Sequence, residues 1–221
     1  MPLVVHKTDG SPPVRAVLMT IELLKLEADF VSHNTLKGDT RKPEYVAKNP
    51  MHTVPLLEDG DFILADSHAI ITYLVSKYGG EKQKDLYSND LKIRATIDQR
   101  MYFDAAVIFP RFISIIYTVF IYKAPEPTPQ QVEDVKEAYG ILERYLQKSE
   151  YVAGNNITVA DISIVATIST LDAMIPISDE FPKTIEWLNK LKETEFYKKA
   201  NEPGLAVISN AYKLMVKQRS S

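Results

Sequence analysis

The apolar positions of residues 1–79 alternate between a spacing typical of strands and a spacing typical of helices. Apolar residues recur at helical spacing over 14–26 and again over Ala69–Tyr78, while Pro43–Lys48 has the length of one short helix. Asp59-Gly60 is a strong hairpin signal between two apolar runs. The runs with strand character are Leu3–Val5, the weaker Ala28–Val31, Thr53–Leu57 and Phe62–Leu64. Strands that alternate with helices predict an α/β unit.

The pattern changes after residue 79. Residues 80–90 are polar and predict a linker, and beyond them only helical spacing is found. Leu91–Tyr122 predicts one long helix with a kink at Pro110. The other predicted helices are Val132–Leu146, Thr158–Met174, one that begins at Phe181-Pro182, and one from about Leu205 to Val216. We therefore predict an α/β domain over 1–79, a linker over 80–90 and an all-helical domain over 91–221.

Composition excludes several classes of function. The 221 residues are enough for one large domain or two small ones. Lys plus Arg total 26 against 29 for Asp plus Glu, and the formal net charge of -3 argues against a nucleic-acid partner. The chain has no cysteine, which rules out disulfides, thiolate zinc sites, a cysteine nucleophile and thioredoxin-type disulfide reduction. A reducing compartment fits this composition, and the segment MPLVVHKTDG lacks the long apolar region of a secretory signal.

The most apolar stretch, Val107–Ile121, bears on whether the chain meets a membrane. It is fifteen residues long and contains Pro110 and Arg111. A membrane span needs roughly 20 predominantly apolar residues. We therefore predict a buried or cleft-lining helix in a soluble chain that has no membrane partner.

Metal and nucleotide chemistry find little support in the sequence. The histidines are His6, His33, His52 and His68, and no two have the i, i+4 spacing of a helical zinc motif. We expect surface or hydrogen-bonded histidines rather than a metal site. The chain also lacks G-x-G-x-x-G, Walker and G-x-S-x-G motifs, so dinucleotide, NTPase and α/β-hydrolase chemistry are not indicated.

Ser11-Pro12-Pro13 follows the first predicted strand. A residue before proline prefers extended backbone, and proline suits the first turn of a helix, so Ser11 is expected at a helix N-terminus. Its hydroxyl then has two alternative uses. It is either an ordinary cap, or a donor that acts with the helix dipole on an anionic ligand atom.

Two later segments leave similar alternatives open. Val54-Pro55 is a bond that can be cis, and a bend there would leave the backbone of Val54 on an open edge for strand addition by a peptide ligand. A simple loop proline is the alternative. Asp66-Ser67 precedes a helix and suits its N-terminus, either as a plain cap or with backbone N–H groups offered to a carboxylate.

Four motifs occur in a shared order and spacing. They are SPPVRA, NPMHTVPLL, ADSHAIITYL and, in the helical half, YVAGNNITVADISIVATIST. Together they closely resemble the cytosolic glutathione transferases, above all the insect delta and epsilon classes, with epsilon favoured by DSHAI. The last motif resembles the family's G-x-x-x-T-x-A-D signature, in which Thr158 and Asp161 form a capping box with a role in folding. The resemblance implies a thioredoxin-like N-terminal domain followed by an all-helical domain.

The resemblance also implies roles for the residues that match. Ser11 takes the place of the catalytic serine, whose hydroxyl donates a hydrogen bond to the sulfur of glutathione. His52 is implied at the glycyl end of glutathione, and the backbone of Val54 at the cysteinyl group. Asp66 and Ser67 are implied at the γ-glutamyl amino and carboxylate groups. The implied glutathione contacts are His52, Val54, Pro55, Asp66, Ser67 and His68.

One position departs from the family. Relatives often have a histidine after G-E/D and before the second short helix, whereas this chain has Gly38-Asp39-Thr40. Because that histidine would help to hold the glycyl carboxylate, we expect His52 to carry more of the contact. The adjacent Arg41 is a candidate substitute.

An aromatic-rich helix is the candidate for a second substrate site. Seven aromatic residues lie between Tyr102 and Tyr122, and helical spacing puts several of them on one broad apolar face. Some must form a helix core, but in the resembled family this helix also lines a hydrophobic cleft beside glutathione. The candidates are Phe109, Phe112, Ile113, Ile116, Tyr117 and Phe120.

The resemblance implies a cytoplasmic, homodimeric glutathione transferase with glutathione as co-substrate and no metal. Its second substrate would be a small hydrophobic electrophile, as in detoxification, and some relatives also eliminate HCl from organochlorines or reduce hydroperoxides. The alternative from another class is a non-catalytic protein that binds apolar ligands on the same fold. The presence of Ser11 favours the enzyme.

Overall fold

A computed structural model describes residues 2–217, and its N-terminal half contains one four-stranded sheet. The strands are β1 (Leu3–Lys7), β2 (Ala28–Ser32), β3 (Leu56–Asp59) and β4 (Phe62–Ala65), and the helices between and after them are α1 (Pro12–Leu24), α2 (Pro43–Val46) and α3 (Ser67–Tyr78). The strand order is β2-β1-β3-β4, with β1 parallel to β2 and the other two pairs antiparallel. This is the predicted thioredoxin-like arrangement.

The third strand begins later than its apolar run predicts. The sequence predicted a strand over Thr53–Leu57, whereas β3 spans Leu56–Asp59. The ladder with β1 starts at the pair His6 and Leu56, directly after Pro55. Proline has no N–H to donate to a ladder, so regular pairing begins only beyond it. Val54 therefore lies outside the paired part of the sheet.

The C-terminal half is helical, as predicted. Its helices are α4 (Gln83–Leu86), α5 (Leu91–Phe103), α6 (Phe109–Ile116), α7 (Pro129–Leu146), α8 (Val159–Met174), α9 (Pro182–Lys192), α10 (Glu195–Ala200) and α11 (Glu202–Lys217). The segment predicted as a linker includes a 3-10 turn at Gly80–Lys82 and α4, because Leu86 is buried in the core. The domain limits stay a prediction, and residues 1 and 218–221 lie outside the described range.

The long helix predicted over Leu91–Tyr122 is one helical run, but two π-helical turns interrupt it. They span Asp104–Ile108 and Tyr117–Ile121, on either side of α6. At the first, the N–H of Phe109 donates to the carbonyl of Asp104, so the helix widens just before the predicted kink at Pro110. Within residues 2–217, Leu91–Ile121 is long and apolar enough to cross a membrane by length and composition. It packs against α7 and α8, and the absence of a membrane span stays a prediction.

The first helix joins the two halves of the chain. It packs against α3 of the N-terminal half and against α8 and α10 of the C-terminal half. Arg15 of α1 is fully buried at this junction, where its guanidinium donates to the side chains of Asn201 and Thr170 and to the carbonyl of Ala166. Burial lowers the pKa of Arg15 to about 10, which leaves it protonated at neutral pH. The helix that follows Ser11 is thereby anchored to the helical domain.

The hairpin is held to α3 through one carboxylate oxygen. Asp59 Oδ2 accepts hydrogen bonds from the hydroxyls of Tyr73 and Tyr78, at 2.7 and 2.6 Å, and from Lys77 Nζ at 2.7 Å. The side chain of Asp59 is only 9% exposed. Burial acts to raise its pKa, but the three donors outweigh that effect and lower the pKa of Asp59 to about 2.

We expect Asp59→Asn to lower the free energy of unfolding at pH 7 by roughly 1–2 kcal/mol. Because the folded-state pKa lies below the unfolded one, the ionised form stabilises the fold above about pH 4, and this stability is lost as the pH falls toward 2. Urea unfolding at several pH values should show that the difference in free energy of unfolding between wild type and variant becomes smaller as the pH is lowered. Asp61→Asn, exposed in the same turn, is the control. A difference in free energy of unfolding that does not change with pH would contradict this role of the ionised Asp59.

Candidate active site

The Ser11 hydroxyl lies at the N-terminus of α1 without serving as its cap. Ser11 is extended (φ -74°, ψ 121°) and its side chain makes no capping hydrogen bond. Its backbone is fixed at both ends, because its N–H donates to Thr8 O at 3.0 Å and its carbonyl accepts from the N–H of Arg15 at 3.1 Å. Pro12 and Pro13 occupy the first helical positions and have no N–H. At the positive end of this helix, where the two prolines offer no N–H, the hydroxyl of Ser11 can therefore donate a hydrogen bond to a ligand.

The loop before β3 holds three of the predicted residues, His52, Val54 and Pro55. The Val54-Pro55 bond is cis, which is one of the two alternatives that the sequence left open. Asn49, which is 1% exposed, braces the loop by donating to Thr53 O at 3.0 Å and accepting from the N–H of Met51 at 3.1 Å. Sequence reasoning did not find this role, for which the Asn-Pro pair at 49–50 was the only local signal.

His52 lies in this braced loop and faces Arg41. Its backbone is in the left-handed region (φ 48°), and its N–H donates to Asn49 O at 2.9 Å. Arg41 Nη1 lies 3.5 Å from His52 Nε2, and Arg41 is exposed. Thr40, in the position where relatives often have histidine, is only 3% exposed. Of these three residues, His52 and Arg41 have side chains that reach solvent, whereas Thr40 is buried.

Asp66 caps α3 with one oxygen and leaves the other available. Its Oδ1 accepts from the N–H groups of His68 and Ala69, at 2.8 and 3.2 Å. His68 Nδ1 also contacts Oδ1, at 3.3 Å. These contacts leave Asp66 Oδ2 to accept from a cationic ligand group, and the N–H and hydroxyl of Ser67 to donate to a carboxylate.

His68 links this segment to the long helix. Its Nε2 lies 3.2 Å from Asp104 Oδ2, while Nδ1 faces Asp66. Asp104 is 3% exposed and also accepts from Ser163 Oγ at 2.5 Å. Burial acts to lower the pKa of His68, but the two carboxylates outweigh it and raise the pKa to about 9. His68 is therefore an imidazolium whose two nitrogens face carboxylates. Asp104 is a buried partner of His68 that sequence reasoning missed.

Two other histidines form a hydrogen-bonded chain. His6 Nδ1 lies 2.8 Å from His33 Nε2, and His6 Nε2 lies 2.5 Å from Glu58 Oε1. His6 uses a different ring nitrogen for each of these two bonds. The three side chains are therefore bonded to one another and do not surround a common point, as metal ligands would. In the described part of the chain, no three His, Asp or Glu side chains are grouped as metal ligands.

The aromatic face of the long helix is only partly covered. Phe112 is 5% exposed and belongs to the core, whereas Tyr117 is 51% exposed. The four other candidates are partly buried: Phe109, Ile113, Ile116 and Phe120. The second π turn contacts α11, and α11 in turn begins against the loop that carries Ser11. The apolar face and the Ser11 loop thus meet the same helix.

Two family models match the two halves of the chain. The family model described as "Glutathione S-transferase, N-terminal domain" matches residues 5–82, and the model for the C-terminal domain matches residues 113–200. Glutathione S-transferase 1 of Manduca sexta is 42% identical over 92% of this chain and 94% of its own.

Solved structures give the same result. An epsilon-class glutathione S-transferase from the housefly, Musca domestica, has a TM-score of 0.93 and 40% identity, over 96% of this chain and 98% of its own. A glutathione transferase homologue from Drosophila mojavensis, solved with bound glutathione, has a TM-score of 0.92 and 39% identity, over 97% of both chains.

Proposed function

The chain belongs to the glutathione S-transferase family, and from that premise we propose that it uses Ser11 to activate glutathione for attack on small hydrophobic electrophiles. Its neighbours include insect epsilon- and delta-class enzymes. One observation carries the assignment of Ser11. Its hydroxyl lies at the start of α1, where the backbone is extended and the side chain makes no capping hydrogen bond.

The chemistry of this position is thiol activation. A free thiol has a pKa of about 8.5, so little of it is ionised at neutral pH. A hydroxyl donor together with the positive end of α1 stabilises the thiolate and lowers that pKa. The thiol proton passes to solvent, the sulfur forms a bond to the electrophilic carbon, and a leaving group such as halide departs with its electron pair.

The rest of the site suits a peptide with charged ends. Val54, outside the sheet ladder, offers its backbone to the cysteinyl group by strand addition. Asp66 Oδ2 accepts from the γ-glutamyl ammonium, and Ser67 donates to the carboxylate beside it. His68, with both nitrogens facing carboxylates, acts by fixing Asp66 rather than by touching glutathione.

A turnover assay tests the proposal against the binding-protein alternative. The purified chain, glutathione and a generic aromatic halide should yield a thioether with saturable dependence on both substrates. Binding of the halide without turnover would support the non-catalytic alternative. An organochlorine and an organic hydroperoxide, assayed in parallel, would measure the two side activities.

We expect Tyr117→Ala to raise KM for the electrophile by about 3- to 10-fold, because it removes apolar contact in the cleft. KM for glutathione should stay nearly unchanged. Phe112→Ala is the comparison, since truncation of a buried phenylalanine costs about 3–5 kcal/mol of stability. If Tyr117→Ala loses stability without any change in substrate preference, the residue belongs to the core and not to the cleft.

We also propose a cytoplasmic homodimer in which α/β and helical domains follow the predicted limits. Large apolar side chains are exposed on β4 and α5, and they support a second copy as partner. They are Phe62, Ile63, Leu91, Ile93 and Tyr102. Light scattering during size-exclusion chromatography should give twice the mass of one chain, and a monomer mass would contradict the dimer.

A further inference from the structure

The last helix begins in direct contact with the loop that carries Ser11. Gly204, the third residue of α11, is buried, and its φ lies outside the left-handed region. A Cβ at this position would lie 2.2 Å from the carbonyl oxygen of Asp9 and 2.6 Å from Cδ of Arg15. Neither distance is compatible with a side chain. Glycine is thus required by the close approach and not by the backbone conformation.

The two atoms that Gly204 touches lie on either side of Ser11. Asp9 is two residues before it, and Arg15 holds the Ser11 carbonyl through its backbone N–H at 3.1 Å. The next turn of α11 continues the contact, because a Cβ at Gly10 would lie 3.4 Å from Ile208 Cβ. Arg15 is also tied to Asn201, just before α11 begins. One face of α11 therefore braces the loop before Ser11 and the first turn after it.

We propose that Gly204 is a positioning residue for catalysis, because its lack of a side chain lets α11 fix the loop from which the Ser11 hydroxyl points at the glutathione sulfur. The inference rests on the role proposed for Ser11. A methyl group here must move the loop, the helix or the Arg15 stem, since the Asp9 oxygen is backbone. Displacement of a reacting group by about 1 Å can lower a rate by about 100-fold.

The test compares Gly204→Ala with Gly140→Ala. Gly140 lies in α7, where a Cβ would meet Phe181 at an ordinary 3.5 Å. For Gly204→Ala we expect kcat to fall by about 10-fold or more, with KM for glutathione within about twofold. The pKa of the bound glutathione thiol, followed by ultraviolet absorbance of the thiolate, should rise toward the free value of about 8.5. Gly140→Ala should leave all three quantities unchanged.

A double-mutant cycle separates positioning from general damage. If Gly204 acts through Ser11, adding Gly204→Ala to a Ser11→Ala chain should cause little further loss of kcat. A merely structural defect would lower kcat by the same factor in both backgrounds. Equal factors would therefore overturn the inference.

Each remaining outcome is also decisive. If Gly204→Ala does not fold, Ile208→Ala provides the test, because it shortens the partly exposed side chain that faces Gly10 on the next turn of α11. We expect this weaker change to raise the thiol pKa with about a threefold loss of kcat. A normal thiol pKa in a folded Gly204→Ala chain, or in Ile208→Ala, overturns this inference alone when Ser11→Ala is impaired. Wild-type activity in Ser11→Ala overturns the proposed role of Ser11, and this inference with it.

Discussion

Ser11→Ala is expected to lower kcat at neutral pH by about 10- to 1000-fold, the scale on which one lost donor to a developing anion acts. The structure supports an effect of this size because Pro12 and Pro13 supply no N–H groups at the start of α1. The first two helical residues therefore have no backbone N–H that could replace the hydroxyl as a hydrogen-bond donor. Affinity for glutathione should change far less, since the other proposed contacts remain. Steady-state kinetics with an aromatic halide, and the pKa of the bound thiol, measure the two effects.

The matched control for that prediction is Ser209→Ala. Ser209 lies in α11, and its hydroxyl donates a hydrogen bond to the carbonyl of Leu205 at 2.7 Å. Its loss should leave kcat unchanged. Ser11→Thr keeps a hydroxyl at the reacting position and should retain more activity than Ser11→Ala. Wild-type turnover in Ser11→Ala would show that the hydroxyl is not the catalytic donor.

Local chemistry made part of the site predictable. Pro12 and Pro13 restrict the backbone around them, and this puts Ser11 at the start of a helix. The cis bond at Val54-Pro55 falls in a motif that resembles the family's. Asp66 caps α3 as its place before the apolar run suggests. In each case the structure depends on residues within a few positions of one another.

Long-range contacts account for what was missed. Asp104 stands 36 residues from His68, and nothing around it in the sequence predicts that pairing. The predicted helices leave out α10, where Phe196 and Tyr197 are buried against the rest of the core. Gly204 likewise looks like an unfavourable helix residue until Asp9 is brought against it. Only tertiary packing reveals these roles.

His52→Ala is expected to weaken glutathione binding by roughly 1.5–3 kcal/mol, the usual range for a hydrogen bond to a charged group. The glycyl carboxylate of glutathione needs donors, and Thr40 is buried where relatives often have a second histidine. His52 is well placed to donate because Asn49 braces its loop. Titration calorimetry of glutathione into wild type and variant measures the loss.

Arg41→Ala should cause a smaller loss that shrinks as salt is added. Arg41 is exposed and lies 3.5 Å from His52 Nε2, so we expect its charge to act on the same carboxylate through solvent that screens it. A long exposed side chain also loses rotamer entropy when a ligand fixes it, which reduces its net contribution. The two variants therefore differ in salt dependence as well as in size. If Arg41→Ala weakens binding more than His52→Ala does, Arg41 has replaced the missing histidine and the proposed division of the contact is wrong.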